Sequence, residues 1–196
     1  MQFSKEPLYV QSAVLVLARF GYLRKDFFWK YLSPKSRSCK FRNWKILLAT
    51  GYIEPYKRSF IGEDVFRLSR RGKRVLQNAG VNPVSAAHPL HFEHDDNAIH
   101  FALSAEKLGL IASTWTSEKV LRQSERSELS QMFGTAIEKL PDLVFEIPLA
   151  NGNFRVAFEI ERTRKTQSRY DALVQAYSKA SQIQLVLIAY NDRSVF

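Results

Sequence analysis

The sequence predicts an α+β fold made of two modules, and three observations lead to this prediction. The charge is divided unevenly, because residues 1–80 hold 17 Lys and Arg against 5 Asp and Glu, whereas residues 81–196 hold 12 against 14. The basic half combines helical apolar spacing with two short strand patterns. The second half contains a hairpin signal, followed by a helix pattern and an apolar strand. We therefore expect residues 1–80 and 93–196 to fold as separate domains, joined by a linker at 81–92.

The composition limits the classes of protein to which the chain can belong. Hydrophobic residues make up 45% of the 196 positions, which is enough for a packed core. The single cysteine, Cys39, excludes an internal disulfide and a zinc cluster built from cysteines. No apolar run approaches the ~20 residues of a membrane span and no signal peptide pattern is present, so we expect a cytoplasmic protein with no membrane partner. The net charge of +10 predicts an acidic partner, with DNA ahead of RNA.

Three helices are predicted in the basic half. Apolar residues recur at helical spacing over 7–20, and Gly21 is expected to end this first helix. A second helix, rich in aromatic residues, is expected over 22–32. The third helix is expected over 36–50, where Gly51 stops it.

The third helix is the candidate DNA-reading element. Its apolar residues are expected to form one inward stripe of Phe41, Trp44, Leu47 and Leu48. The opposite side and the flanks carry the predicted DNA contacts, which are Lys35, Arg37, Ser38, Lys40, Arg42, Asn43 and Lys45. Arg side chains bond guanine edges, Asn side chains bond adenine edges and Lys side chains neutralise phosphates. No acidic residue occurs from 27 to 53, so nothing in this segment repels a phosphate backbone.

A two-stranded wing is predicted after the third helix. Strands are expected over 52–56 and 65–68, and the loop between them adds two candidate DNA contacts, Lys57 and Arg58. Ser69 is expected to cap a closing basic helix. Three helices, a wing and a closing helix are typical of a winged helix-turn-helix domain, whose DNA binding needs no cofactor. A basic face that contacts only solvent or a protein partner, or that binds RNA, is the alternative interpretation.

All four histidines of the chain lie near the predicted linker, at His88, His91, His94 and His100. Imidazole and carboxylate groups are zinc ligands, so a zinc site is one interpretation of this cluster. Spacings of three residues do not match one face of a strand, however, and the prolines of the segment favour a connector. We therefore favour histidines that cap a helix over 95–107 or line a domain interface.

The second module is dominated by a predicted hairpin. Strands are expected over 143–147 and 154–161, on either side of Asn151-Gly152, which is a strong turn signal. A two-residue turn at these two positions would pair Val144 with Glu159. A helix and an apolar strand follow the hairpin, whereas the polar stretch before it is expected to be partly irregular.

The same register brings three carboxylates together. Asp142 would pair with Glu161, so that Asp142, Glu159 and Glu161 share one face at the open end of the hairpin. Three adjacent carboxylates repel one another unless a cation or nearby basic residues balance their charge. A helix over 166–180 and a strand over 183–189 complete the predicted module.

This order of elements resembles the restriction-endonuclease-like fold, whose signature is PD-(D/E)xK. Pro141-Asp142 and Glu159-Ile160-Glu161 match the positions of that signature. The resemblance implies Mg²⁺ held by Asp142 and Glu159, with Glu161 and Lys165 as further catalytic residues. Such an ion would polarise a phosphodiester and activate water. Glu161 stands where active nucleases have lysine, which favours a nuclease-like domain without enzymatic activity.

A wider set of residues resembles the replication-relaxation family of plasmids and other mobile elements. The set comprises the winged helix, His94, Pro141-Asp142, the segment 159–163, Arg169-Tyr170 and Tyr177. The resemblance implies a sequence-specific, double-stranded DNA-binding accessory protein of the relaxosome. It would act at a transfer or replication origin during mobilisation or conjugation, and would position a relaxase or another DNA-processing protein.

Two other functions and one oligomeric state remain open from the sequence. The alternatives are a metal-dependent DNA endonuclease or nickase, with Mg²⁺ as its cofactor, and a transcriptional regulator. A homodimer stays open, since many winged helices bind DNA as dimers but no clear coiled-coil pattern in this sequence decides the oligomeric state. Residues 110–140 carry no motif that bears on the choice.

Overall fold

The computed structural model describes residues 3–33, 36–56, 64–112, 114–135, 139–161 and 166–190. Helices and two β-sheets occur in these ranges, so the predicted α+β class is confirmed. The chain divides into two compact units, Met1–Asp95 (unit 1) and Asp96–Phe196 (unit 2). Among the described helices, none is both long enough and apolar enough to cross a bilayer.

The helices of unit 1 follow the predicted order. The first, α1, is Leu8–Phe20, and the next, α2, is Lys25–Phe27 and continues as a π-helix over Phe28–Leu32. The third, α3, is Arg37–Ala49. The Ser36 hydroxyl accepts a hydrogen bond from the third backbone N–H of α3 at 3.3 Å, which caps the helix.

A three-stranded antiparallel sheet completes unit 1. Its strands are β1 (Leu23–Arg24), β2 (Ile53–Pro55) and β3 (Val65–Leu68), in the order β1-β3-β2. Strand β1 was not predicted, because two residues are too short to show an alternating pattern, and the predicted second helix therefore begins later than expected. Ser69 caps helix α4 (Arg70–Asn78) as predicted, since its hydroxyl accepts a hydrogen bond from a backbone N–H at 3.1 Å.

Residues 81–92, expected to form a linker, pack against the rest of unit 1. The Val84 N–H donates to the Ala18 carbonyl oxygen at 2.8 Å. Phe92 is fully buried, and its ring stacks on that of Tyr22 with the centroids 4.2 Å apart. Val84, Ala87 and Phe92 of this segment therefore belong to the core of unit 1.

A four-stranded mixed sheet forms the centre of unit 2. Its strands are β4 (Thr116–Ser117), β5 (Leu143–Leu149), β6 (Gly152–Glu161) and β7 (Leu185–Tyr190), in the order β4-β5-β6-β7. Strand β5 is antiparallel to both of its neighbours, β4 and β6. Strands β6 and β7 are parallel, and helix α8 (Gln167–Ser178) connects them.

Three further helices lie before the hairpin, at α5 (Phe92–Lys107), α6 (Glu118–Leu121) and α7 (Arg126–Phe133). Helix α7 occupies part of the stretch that was expected to be partly irregular, and this helix was not predicted. The helix is stabilised by a capping box, in which the side chain of Glu125 and that of Glu128 each accept the other residue's backbone N–H. The capping-box pattern is visible in the sequence, but the scarcity of apolar residues led to the prediction of a partly irregular segment.

The register of the hairpin differs from the predicted one by two residues. Leu149 pairs with Gly152, so the two-residue turn is formed by Ala150 and Asn151, and Val144 faces Ala157 rather than Glu159. Gly152 has φ of 127°, a value that favours glycine at the residue after the turn. Because side chains alternate with a period of two, a two-residue shift leaves every side chain on its predicted face.

Helices cover both faces of this sheet. On one face, Phe101 of α5 stacks on Phe158 of β6, with the ring centroids 4.0 Å apart. On the other face, Ala157 of β6 packs in one buried cluster with Leu173 and Tyr177 of α8. The face that carries Ala157 is also the face of Asp142, Glu159 and Glu161.

Candidate nucleic-acid interface and carboxylate cluster

One side of α3 faces solvent along its length, and we call it the α3 face. It lines an open hollow of about 520 Å³, formed by Ser38, Phe41, Arg42, Lys45, Ile46 and Ala49. Steps of three and one along the chain place these residues on a single stripe of the helix. The α3 face therefore combines two cations with an apolar centre.

The cations of α3 have no acidic partner among the residues that the structure describes. Arg37, Arg42 and Lys45 are exposed, and Lys40 is half-buried. Four acidic groups of unit 1 are engaged elsewhere, in Arg24–Asp26 (3.3 Å), Lys25–Asp64 (2.6 Å), Arg67–Glu54 (2.7 Å) and Tyr52–Glu6 (2.7 Å). The positive potential of α3 is therefore not cancelled by a neighbouring side chain of the described ranges.

Asn43 was predicted to lie on the outer side of α3, and this placement is wrong because its side chain is buried, whereas its contact with DNA stays a prediction. Its exposed fraction is 5%, whereas the predicted core residues Phe41 and Leu48 are exposed at 43% and 39%. The inward stripe is formed by Asn43, Trp44 and Leu47. The error arose because Phe41 and Leu48 were assigned to the core for their apolar side chains, and an apolar type alone does not fix the rotation of a helix.

Aromatic packing fixes the orientation of α3. The Trp44 ring meets Phe28 and Phe66 edge-on, at centroid distances of 5.2 Å and 4.8 Å. On the outer side, the Phe41 ring packs against Trp29 at 5.2 Å, and the Arg37 guanidinium lies 5.9 Å from the Phe41 centroid. These edge and cation–π contacts hold the exposed ring in a defined position.

Four predicted site residues lie outside the described residues. Three of them are candidate DNA contacts, Lys35, Lys57 and Arg58, and the fourth is the candidate catalytic residue Lys165. The remaining predicted DNA contacts, Arg37, Ser38, Lys40, Arg42 and Lys45, are all exposed or half-buried on α3.

The second site is the carboxylate cluster, which we define as Asp142, Glu159 and Glu161 of unit 2. Glu159 lies at its centre with an exposed fraction of 3%. Lys139 Nζ donates to one carboxylate oxygen of Glu159, and the Tyr177 hydroxyl donates to the other. The negative charge of Glu159 is therefore neutralised and hydrogen-bonded within the protein.

Asp142 and Glu161 lie beside Glu159. One Asp142 oxygen accepts the backbone N–H of Ile160 at 2.6 Å, which ties the start of β5 to β6. Glu161 is buried and lines a cleft of about 360 Å³ together with Lys139 and Arg169. The structure thus brings the three predicted carboxylates together despite the changed register.

Burial is the main cause of the pKa shifts of Glu159 and of its partner Tyr177. Removal from water raises the pKa of Glu159 above its ordinary value, while the bonds from Lys139 and Tyr177 act in the lowering direction. The negative charge of Asp142 raises it further. Burial, and after it the negative charge of Glu159, raises the pKa of the Tyr177 hydroxyl, which keeps it a hydrogen-bond donor.

These contacts bear on the Mg²⁺ ion that the fold resemblance implies. Magnesium is bound through carboxylate oxygens, and here both oxygens of Glu159 are committed to Lys139 and Tyr177. Within the described ranges, no group of three or more His, Cys, Asp or Glu side chains is arranged to hold a metal ion. The arrangement of Asp142 and Glu159 therefore does not fit Mg²⁺.

The same absence of a ligand group applies to the histidine segment in its described part. The rings of His88 and His91 have centroids 6.4 Å apart, and His88 Nδ1 accepts the backbone N–H of Leu90 at 3.3 Å. His94 Nδ1 lies 3.7 Å from Asp95 Oδ1. These contacts are local ones, of the kind expected where a helix begins.

Two contacts of the carboxylate cluster were missed by sequence reasoning. Lys139 lies in the stretch expected to be irregular, and its spacing of three from Asp142 matches no strand face. Tyr177 was noted only through the family resemblance. Its position on α8, four residues after Leu173, gives the one usable signal, because residues at that spacing share a helix face.

Comparisons of this chain with protein-family models, curated proteins and solved structures find no match. The function is therefore inferred from the chemistry of the two sites.

Proposed function

We propose that the protein is a sequence-specific, double-stranded DNA-binding protein that uses α3 as its recognition helix. The observation that carries the proposal is the α3 face, where exposed arginine and lysine side chains have no acidic partner among the described residues. Unpaired cations on a helix suit a phosphate backbone, and arginine also bonds guanine edges.

The topology of unit 1 supports a winged-helix interpretation. A helix, a short strand, two helical segments and a β-hairpin follow one another, and the short strand pairs with the second strand of the hairpin. In such domains the third helix enters the major groove. Here that helix is α3, which carries four basic residues and no acidic ones.

For unit 2 we propose a scaffold with the restriction-endonuclease-like arrangement. This assignment is supported by the elements of unit 2, which include α5, the antiparallel strands β4, β5 and β6, then α8 and the parallel strand β7. Because Glu159 is neutralised within the protein, unit 2 would contribute contacts with a relaxase or with a second copy of the chain. The protein would then serve as a cytoplasmic accessory factor at a plasmid transfer or replication origin.

A comparison of two double variants tests DNA binding by α3. The double variant Arg42→Ala/Lys45→Ala is compared with Lys73→Ala/Arg74→Ala, which removes the same charge from the exposed side of α4. Fluorescence anisotropy with a selected duplex should show a loss of about 1–3 kcal/mol for each lost base contact in the α3 variant. The slope of affinity against salt should also fall by about one for each lost phosphate contact. Equal losses in both variants would refute recognition by α3.

A metal-dependent nuclease is the second candidate, and one observation favours it. Lys139 brings a cation to the carboxylate cluster, where Glu161 replaces the lysine of the signature, but binding of a metal ion by Glu159 would require it to release Lys139 or Tyr177. Supercoiled plasmid incubated with Mn²⁺ gives a direct test. Nicking by the wild type that is lost in Asp142→Ala would establish this activity, whereas intact plasmid with retained DNA binding would favour the scaffold.

A further inference from the structure

The α3 face has an apolar centre that phosphate binding does not explain. Phe41 and Ile46 are large hydrophobic residues with exposed fractions of 43% and 39%, and both line the hollow described above. Ala49 extends this apolar strip by a further turn of the helix. Apolar side chains that are grouped on an exposed surface and bordered by charged residues mark interaction sites.

We infer that Phe41 and Ile46 contact the 5-methyl groups of thymine in the major groove, so that the preferred site contains thymine. This inference depends on the proposed binding of DNA by α3. The thymine methyl is the apolar group that the major groove displays, and side chains such as Phe and Ala contact it. Arginine and lysine flank the strip on α3, which favours a polyanion over an apolar protein partner.

The packing of Phe41 supports a role in recognition. Its ring meets Trp29 at 5.2 Å with an angle of 60° between the ring planes, and Arg37 lies over it at 5.9 Å. A contact residue that is already held in position loses little conformational freedom on binding. Phe41 can therefore distinguish a base that carries a methyl group from one that does not.

Replacement of thymine by uracil in the DNA isolates this contact. A duplex is first selected from a random pool with the full-length protein, and it is then synthesised with deoxyuridine in place of thymidine. The replacement removes the methyl group but keeps the base pairing. Wild-type protein should bind the uracil duplex about fourfold more weakly for each lost contact, as expected from ~0.8 kcal/mol per buried methyl group.

Ile46→Ala and Leu48→Ala are a matched pair for this experiment. The two residues have the same exposed fraction, 39%, and lie on the same helix, but only Ile46 lines the hollow. Ile46→Ala should reduce the preference for the thymine duplex, and Leu48→Ala should retain it. Phe41→Ala should act as Ile46→Ala does, with thermal unfolding used to check that loss of the Trp29 contact leaves the fold intact.

The outcomes distinguish the inference from the proposed function. Equal wild-type affinity for the thymine and uracil duplexes would overturn the inference while leaving DNA binding by α3 in place. Unchanged DNA affinity in Ile46→Ala and Phe41→Ala would also overturn it, and would assign the apolar strip to a protein partner. If wild-type protein binds no duplex, or if Arg42→Ala/Lys45→Ala binds as the wild type does, the proposed function itself fails.

Discussion

The α3 face and the carboxylate cluster both concentrate charge, but they differ in how the charge is balanced. On α3, Arg42 and Lys45 are exposed, and no described acidic side chain pairs with them. In unit 2, Glu159 is buried and bonded through both of its oxygens, to Lys139 and to Tyr177. The charge of α3 is exposed to solvent, whereas the charge of Glu159 is balanced by groups within the protein.

The basic residues of α3 and the carboxylate cluster are both groups of like charge in the sequence, yet we propose binding for the first and a structural role for the second. A cluster of charged residues in a sequence gives only its composition, and the balancing groups decide whether the cluster binds or stabilises. A buried ion pair contributes to stability chiefly when both partners are kept, because removal of one leaves a buried charge uncompensated. An exposed cation contributes little to stability and is free to bind an anion.

The contrast between the α3 face and the carboxylate cluster can be tested by mutation, and the largest change in stability is expected from Lys139→Met. Removal of the ammonium leaves the carboxylate of Glu159 buried without its cation, which should lower the free energy of unfolding by about 2–3 kcal/mol. This range is below that of a fully buried pair because the Lys139 side chain is 41% exposed. Urea denaturation followed by circular dichroism measures the change.

Lys179→Met is the control for that variant. Lys179 is an exposed lysine of the same unit that forms no ion pair with the described residues, so its replacement should change stability by less than about 0.5 kcal/mol. If the two variants are equally stable, the charge of Glu159 is balanced by other means, and the contrast with the α3 face fails.

A second test compares two adjacent residues of α3. Asn43 is buried and Arg42 is exposed, so Asn43→Ala should cost about 1–2 kcal/mol of stability with little change in DNA affinity. Arg42→Ala should show the reverse pattern. Thermal unfolding and duplex binding measured on both variants check this, and a loss of sequence preference in Asn43→Ala with unchanged stability would restore the predicted role of Asn43.

The outcome for α3 shows what the sequence could predict in unit 1. Ser69 was predicted as a helix cap because a hydroxyl before a run of helix-forming residues is a local signal. The rotation of α3 was not, because Trp44 is fixed by contacts with Phe28 and Phe66, which are distant in the sequence. The apolar residues of α3 are found on both sides of the helix, so hydropathy alone gave the wrong face.

In unit 2 the order of elements and the grouping of the carboxylates were predictable, whereas their partners were not. The face of Asp142 and Glu159 survived an error of two residues in register, because alternation along a strand is unaffected by an even shift. Lys139 reaches Glu159 from a segment without periodicity, and Tyr177 reaches it from another helix. Contacts of this kind depend on tertiary packing.

A smaller effect is expected from Tyr177→Phe. The change removes one of the two hydrogen bonds to Glu159 and keeps the ring in its buried cluster, so stability should fall by about 1 kcal/mol. Tyr9→Phe is the control, because the Tyr9 hydroxyl forms no hydrogen bond with the described residues. Equal stability of wild type and Tyr177→Phe in urea denaturation would mean that this bond contributes nothing, which would weaken the description of a satisfied carboxylate.

The smallest effect concerns pH, and its sign follows from the raised pKa of Glu159. At pH values above the ordinary carboxyl pKa, the folded protein holds the Glu159 proton more tightly than the unfolded chain does, because burial raises the pKa in the folded state. The folded state therefore binds more protons in the window up to the raised pKa, and this group's contribution to stability falls as the pH rises through that window.

Glu159→Gln removes the titrating group, so wild-type stability should decline relative to this variant as the pH rises. In Lys139→Met the window should extend to higher pH, because the cation that lowers the pKa is gone. Urea denaturation at a series of pH values measures the difference, and a wild type that gains stability relative to Glu159→Gln over this range would show that Lys139 and Tyr177 outweigh burial.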